Sequence, residues 1–250
     1  LYLCSLLMLA VFAGMIWYLA DYVSSNQEAL FNNSYNSQQR VLAQKNTRGT
    51  IYAGTGEVLA QTVIAEDGTS VREYPYKNIF AHVVGYTDKG KTGIEELENY
   101  QLIHSDISDR EKLDHELAGE KNPGNDVYTT LDTSLQQAAS DALGLYRGAI
   151  VVTEVKTGRV LAMVSKPDYD PNKIAENWET LSTDKDKAAL VNRGTQGLYP
   201  PGSTFKIVTA LAYIRQNPDS WQNYHYQCNG AYINGDNKIN CYHGSVHGDV

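Results

Sequence analysis

Cysteine is scarce in this chain, basic charge is concentrated nowhere, and each shortage excludes something. Lys and Arg total 21 against 29 Asp and Glu, a formal charge of −8 over 250 residues. Nucleic acid is therefore not the expected partner, since phosphate backbones are gripped by clustered cations. The first residue is Leu1 rather than methionine, so an incomplete N-terminus is expected. Charge is missing altogether from Leu1 to Ala20, a run long enough to cross a bilayer as a helix. Trp17, Tyr18 and Tyr22 collect at its C-terminal end, where amphipathic rings favour the membrane interface. No convincing small-x-small cleavage site precedes Asp21, and the apolar core is too long for a signal peptide. Residues 1–23 are read as an uncleaved transmembrane anchor. No Lys or Arg follows before Arg40, which puts the bulk of the chain on the extracytoplasmic side of the cell membrane.

The three cysteines are Cys4, inside the span, and Cys228 and Cys241. A disulfide closing a short loop suits the latter pair outside the cytoplasm. Zinc is the rival reading, because His243 and His247 follow closely. Cysteines thirteen positions apart do not form a metal knuckle, and Gly244 and Gly248 oppose a helix that would align the histidines. Two free thiols are the third reading. No metal and no cofactor is assigned.

What the chain does have is Tyr199-Pro200-Pro201-Gly202-Ser203-Thr204-Phe205-Lys206, running into Ile207-Val208-Thr209-Ala210-Leu211-Ala212. Positions three apart share a helix face, so Lys206 can reach the Ser203 hydroxyl. Apolar residues fall on every side from Phe205 to Ile214, the pattern of a helix buried in a domain core. Burial and the positive helix end favour the neutral amine a general base must be. Two prolines and a glycine form a stiff entry turn, with the glycine clearing space beside the hydroxyl. A serine activated by lysine needs no histidine. Ser182-Thr183-Asp184-Lys185 has the same spacing but lies in a charged run through Asp186 and Lys187, and is read as a solvated loop or helix edge.

Along the chain, Ser24 to Gln44 reads as a polar, partly helical stalk. Thr50 to Ala60 reads as two short strands around a glycine turn. Tyr74 to Tyr86, rich in aromatic and β-branched residues, predicts a strand. His104 to Gly124 is polar and loop-like, with a helix over its charged part. A helix starts after Asp132 and ends near Gly144. Gly148 to Val155 and Arg159 to Ser165 form a hairpin around Lys156-Thr157-Gly158, with apolar runs that suit a central sheet. These elements divide the chain into an anchor, 1–23, a stalk and β-rich region, 24–145, and an α/β domain from 146 to 250.

Gly85-Tyr86-Thr87-Asp88-Lys89-Gly90-Lys91-Thr92 spells a phosphate-binding loop after a plausible strand. Glu95 and Glu96 would crowd the helix end that should hold phosphate, no apolar strand ending in aspartate follows, and the segment lies outside the membrane. A nucleotide-hydrolysing chain is rejected on these grounds.

Several segments together resemble the class B penicillin-binding proteins, the bacterial peptidoglycan D,D-transpeptidases. Arg48-Gly49-Thr50-Ile51-Tyr52 is similar to the family's opening hairpin, and Gly85-Tyr86 with Gly90-Lys91-Thr92-Gly93-Ile94-Glu95 to its next segment. Thr130-Leu131-Asp132 with Gln136, Ala162 to Pro167 with Asp170-Pro171-Asn172, Asn192-Arg193, and Tyr199 to Lys206 continue the series in order. The resemblance implies an α/β transpeptidase domain, incomplete here, preceded by a β-rich α+β pedestal and a single transmembrane helix. It implies Ser203 as the acylated nucleophile and Lys206 as its general base. It further implies cross-linking of peptidoglycan stem peptides, acylation by β-lactams, and a polytopic membrane glycosyltransferase as partner.

The family's Ser-x-Asn motif and Lys-Thr/Ser-Gly strand lie C-terminal to the nucleophile. Lys91-Thr92-Gly93 and Lys156-Thr157-Gly158 spell the latter but precede Ser203, so both are decoys. The run His243-Gly244 to His247-Gly248 resembles the loop just before the Ser-x-Asn helix. A C-terminally truncated chain is expected, inactive by itself. A serine β-lactamase or β-lactam sensor, and a non-catalytic cell-wall scaffold, stay open as alternatives.

Overall fold

The apolar N-terminal run winds into α1 (Tyr2–Ser25), 24 residues long or about 36 Å at the helical rise. None of its residues is buried, and it is long and apolar enough to cross a membrane. The structure is a computed structural model that describes residues 2–31, 38–65 and 69–250. Two compact units divide it, Leu1–Gly197 and Leu198–Val250.

In the first unit, α2 (Gln27–Phe31) and α3 (Gln38–Lys45) lead to β1 (Asn46–Thr47), β2 (Ile51–Tyr52), β3 (Val58–Ile64) and β4 (Ser70–Glu73). Next come α4 (Ala81–Val84), α5 (Gly93–Leu97), α6 (Asn99–Ile103) and α7 (Asp109–Ala118). Then follow β5 (Asn122–Pro123), β6 (Val127–Tyr128), α8 (Thr133–Leu143), β7 (Gly148–Thr153), β8 (Val160–Lys166) and α9 (Ile174–Thr183). A four-stranded sheet runs in the order β4-β3-β2-β6, with β6 parallel to β2 and the other pairs antiparallel. Ile51, Leu59, Phe80, Val84, Leu102 and Leu131 pack as the core against it. β7 and β8 form an antiparallel hairpin, and Ala162 and Val164 of β8 pack with Ala139 of α8.

The aromatic run Tyr74 to Tyr86 is not a strand. A 3-10 turn over Lys77–Phe80 leads directly into α4. Pro75 has no N–H to give a ladder, and Asn172 occupies the neighbouring backbone. Asn172 Oδ1 accepts from the Tyr74 N–H, and its Nδ2 donates to the Tyr74 carbonyl, both at 2.9 Å. Helical spacing then carries Phe80 and Val84 together into the core.

Two of the helices after it, α7 and α8, start at side-chain caps. Ser108 and Glu111 form a reciprocal capping box on α7, and the Asp132 carboxylate accepts from Leu135 N–H at 2.9 Å to open α8. Gln136, fully buried, fastens α8 to β8. Its Nε2 donates to the Met163 carbonyl at 2.9 Å and its Oε1 accepts from Met163 N–H at 2.8 Å.

In the second unit a 3-10 turn over Gly202–Thr204 precedes α10 (Phe205–Gln216). Four short strands follow: β9 (Gln227–Cys228), β10 (Ala231–Asn234), β11 (Asn237–Asn240) and β12 (Gly248–Asp249). β10 pairs with β11 and β9 with β12, both antiparallel. The burial expected of α10 is not met: none of its residues is buried, and Ile207 is 66% exposed. A helix apolar on all sides needs cover on all sides, and the second unit by itself does not supply it.

Candidate active site

Pro200 and Pro201 stiffen the entry to the turn, and Gly202 follows with φ +54°. A Cβ there would meet nothing within 4 Å. The left-handed backbone angle is what requires glycine, and the clearing of space beside the hydroxyl is not. Ser203 lies inside the 3-10 turn. Pro201, Thr204 and Phe205 all have right-handed helical angles, so the turn feeds α10 without a break. Ser203 and Lys206 thus stand three residues apart on one continuous helical path, both exposed, with no side-chain hydrogen bond joining them. Positions three apart on a helix lie on one face. Ser182, at the end of α9, turns its hydroxyl onto the Glu179 carbonyl at 3.4 Å, and Lys185 is exposed among charges.

In the same unit, Cys228 and Cys241 are free thiols, their sulfurs 3.5 Å apart, so the expected disulfide is not formed. His247 Nδ1 lies 3.4 Å from the Cys228 sulfur, and the three donor atoms are within 4.8 Å of one another. Strand pairing, not helical alignment, assembles them. Cys228 sits opposite Gly248 across β9–β12, and Cys241 N–H donates to the Gly230 carbonyl at 3.0 Å. The cysteine spacing that argued against a metal is therefore no obstacle. Two sulfurs and an imidazole are three of the four donors of a tetrahedral soft-metal site. The backbone N–H groups of Gly230 and His247, then the His247 ring and Cys241, hold the Cys228 thiol down to about 6. Its hydrogen bond to Cys228 pushes Cys241 up, against the nearby Lys206 charge.

In the first unit the conspicuous ionic group is Glu95, fully buried between two arginines. Arg48 Nε donates to one carboxylate oxygen at 2.6 Å and Arg72 Nε to the other at 2.8 Å. Burial lowers the Arg48 guanidinium, and Glu95 opposes that shift. Sequence reasoning missed this triad, although Arg48 and Glu95 both belong to quoted motifs. The phosphate-loop spelling has a structural origin too. No strand precedes it; α4 does. A Cβ on Gly85 would lie 1.8 Å from the Thr92 carbonyl oxygen, and one on Gly93 2.6 Å from that of Val83. The glycines let α4 and α5 approach backbone to backbone.

Residues 148–249 match the family model of the penicillin binding protein transpeptidase domain. Residues 48–127 match that of the penicillin binding protein A dimerisation domain. The chain is 39% identical over 198 residues to the peptidoglycan D,D-transpeptidase PbpA of Mycolicibacterium smegmatis, covering 71% of this chain and 40% of that protein. It is 34% identical over 185 residues to MrdA of Escherichia coli, a peptidoglycan D,D-transpeptidase, covering 59% of this chain and 29% of that protein. Among solved structures, the D,D-transpeptidase domain of an Eggerthella lenta peptidoglycan glycosyltransferase superposes with TM-score 0.67 at 36% identity, over 82% of this chain and 46% of that one. Penicillin-binding protein A of M. tuberculosis, as an imipenem acyl-enzyme complex, superposes with TM-score 0.69 at 31% identity, over 83% and 51%. The chain spans less than half the length of the curated relatives it matches.

Proposed function

We propose, from the premise that this chain belongs to the class B penicillin-binding proteins, that it serves a serine D,D-transpeptidase cross-linking peptidoglycan stem peptides outside the cell membrane. The observation that carries this reading is Ser203 and Lys206 on one helical path at the head of α10, inside the segment matched by the transpeptidase model. Ser203 Oγ attacks the penultimate D-Ala carbonyl of a D-Ala-D-Ala end. Lys206 takes the hydroxyl proton as general base, and the proton goes on to the amine of the departing D-Ala. The C–N bond breaks as the ester to Ser203 forms. An amine of a neighbouring stem then opens that ester and restores the hydroxyl. The Ser203 backbone N–H is one oxyanion donor.

β-Lactams acylate the same serine in this reading, which the imipenem acyl-enzyme of the M. tuberculosis protein supports. The division into anchor 1–23, stalk and pedestal 24–145 and transpeptidase portion 146–250 belongs to the same proposal. So does α1 as a single-pass anchor, with a polytopic membrane glycosyltransferase engaged through anchor and stalk. In the full-length protein, Lys206→Ala should slow β-lactam acylation about 10²–10⁴-fold. Lys206→Arg should be nearly as slow, because guanidinium stays protonated. Near-normal acylation by Lys206→Arg would assign the proton to another group.

A further inference from the structure

Beside the buried Glu95 lies a cavity of about 470 Å³ lined by Arg40, Arg48, Arg72, Lys91 and Lys121. These cations come from five separate stretches: α3, the segment after β1, β4, the loop before α5 and the residue before β5. Asp88 is the one carboxylate in the lining. Glu95 accounts for one further charge between its two arginines, so five cations face two carboxylates. Such a surplus stands out in a chain whose formal charge is −8.

Arg48 and Arg72 have a structural reason to be there, because they hold Glu95. The other three hold no such ion pair, although Lys121 Nζ donates to the Ala43 carbonyl at 3.5 Å. Among the described residues no carboxylate lies within ion-pair distance of Arg40, Lys91 or Lys121. Arg72 also keeps something in reserve. Its side chain is 8% exposed, yet its Nη2 is buried with no hydrogen-bond partner, a costly state for a charged donor. Burial, and then the Arg48 charge, holds the Lys91 ammonium below its ordinary range. An anion in the cavity would offset the Arg48 charge on Lys91, whereas the Arg72 Nη2, closed to water, would need a shift of its side chain to meet it.

We propose that this cavity is a binding site for a phosphate-bearing ligand. Several cations around one hollow match a dianion better than a single carboxylate. The volume exceeds that of a bare phosphate, which leaves room for the group esterified to it. Such a phosphate could come from a lipid headgroup or from a soluble phosphate ester.

The test uses the full chain in neutral-detergent micelles at constant ionic strength, titrated calorimetrically with inorganic phosphate, glycerol 3-phosphate and dihexanoyl phosphatidylglycerol. Dihexanoyl phosphatidylcholine controls for partition into the micelle. Saturable binding of at least one phosphate probe is expected. Lys91→Gln with Lys121→Gln should weaken it at least about tenfold, or about 1.4 kcal/mol, with the unfolding temperature unchanged. Lys91→Arg with Lys121→Arg should retain it. Preference for the anionic lipid assigns a headgroup, and equal or tighter binding of the other two assigns a soluble ester. No saturable binding, equal binding of both lipids alone, or unchanged affinity in the glutamine variant would overturn the site.

Discussion

Glu95 is the residue whose loss the folded chain should feel most. Its carboxylate is the shared counter-charge of Arg48 and Arg72, whose side chains are only 13% and 8% exposed. Removing one partner of a buried ion pair leaves charge stranded, at a cost of about 3–5 kcal/mol. Glu95→Gln should lower the denaturant midpoint of the folded unit accordingly. A change under about 1 kcal/mol would mean that water already solvates the arginines. Cys228 offers a second residue-scale prediction. With its thiol held down to about 6, its thiolate forms as pH rises through that value. Its alkylation rate should therefore reach half-maximum near pH 6, against about 8.5 for an ordinary cysteine. Parallel profiles for Cys228 and Cys241, followed by mass spectrometry of their peptides, would contradict the assembled hydrogen bonds around Cys228. The placement of Ser203 and Lys206 on one helical path is legible from spacing alone, because three residues on a helix are neighbours by geometry. Arg48 and Glu95 are not, since 47 positions separate them and only the fold closes that gap. Cys228, Cys241 and His247 escape for the same reason.

Elements with a local signal are read correctly before any packing is known. The charged part of 104–124 holds α7, α8 follows Asp132, and the Lys156-Thr157-Gly158 turn joins β7 to β8. Tyr74 to Tyr86 fails because its composition favours strand while a distant side chain, Asn172, claims the backbone of Tyr74. The motifs that carry the family resemblance divide along the same line. Gln136, Asn172 and Arg193 fasten elements together, whereas the side chains of Ser203 and Lys206 make no hydrogen bond among the described residues. A run of matched motifs thus reports mostly scaffold. If Asp132 acts as the cap seen here, Asp132→Ala should cost about 1 kcal/mol, and Asp132→Asn should recover most of it. Equal losses in both variants would place the role of Asp132 elsewhere than in the cap.

For the molecule as a whole, the central claim is that one of two serines with the same spacing to a lysine is the acylated nucleophile. Ser182 lies in the last turn of α9 with its hydroxyl on the Glu179 carbonyl, shortly before the Asp184–Lys187 ion pair. Ser203 heads α10 in a turn set by Gly202. The most direct measurement is fluorescent penicillin labelling of the full-length protein followed by peptide mapping. Label on the Ser203 peptide, lost in Ser203→Ala and kept in Ser182→Ala, is the predicted result. Label on the Ser182 peptide, or undiminished labelling of Ser203→Ala, would contradict it.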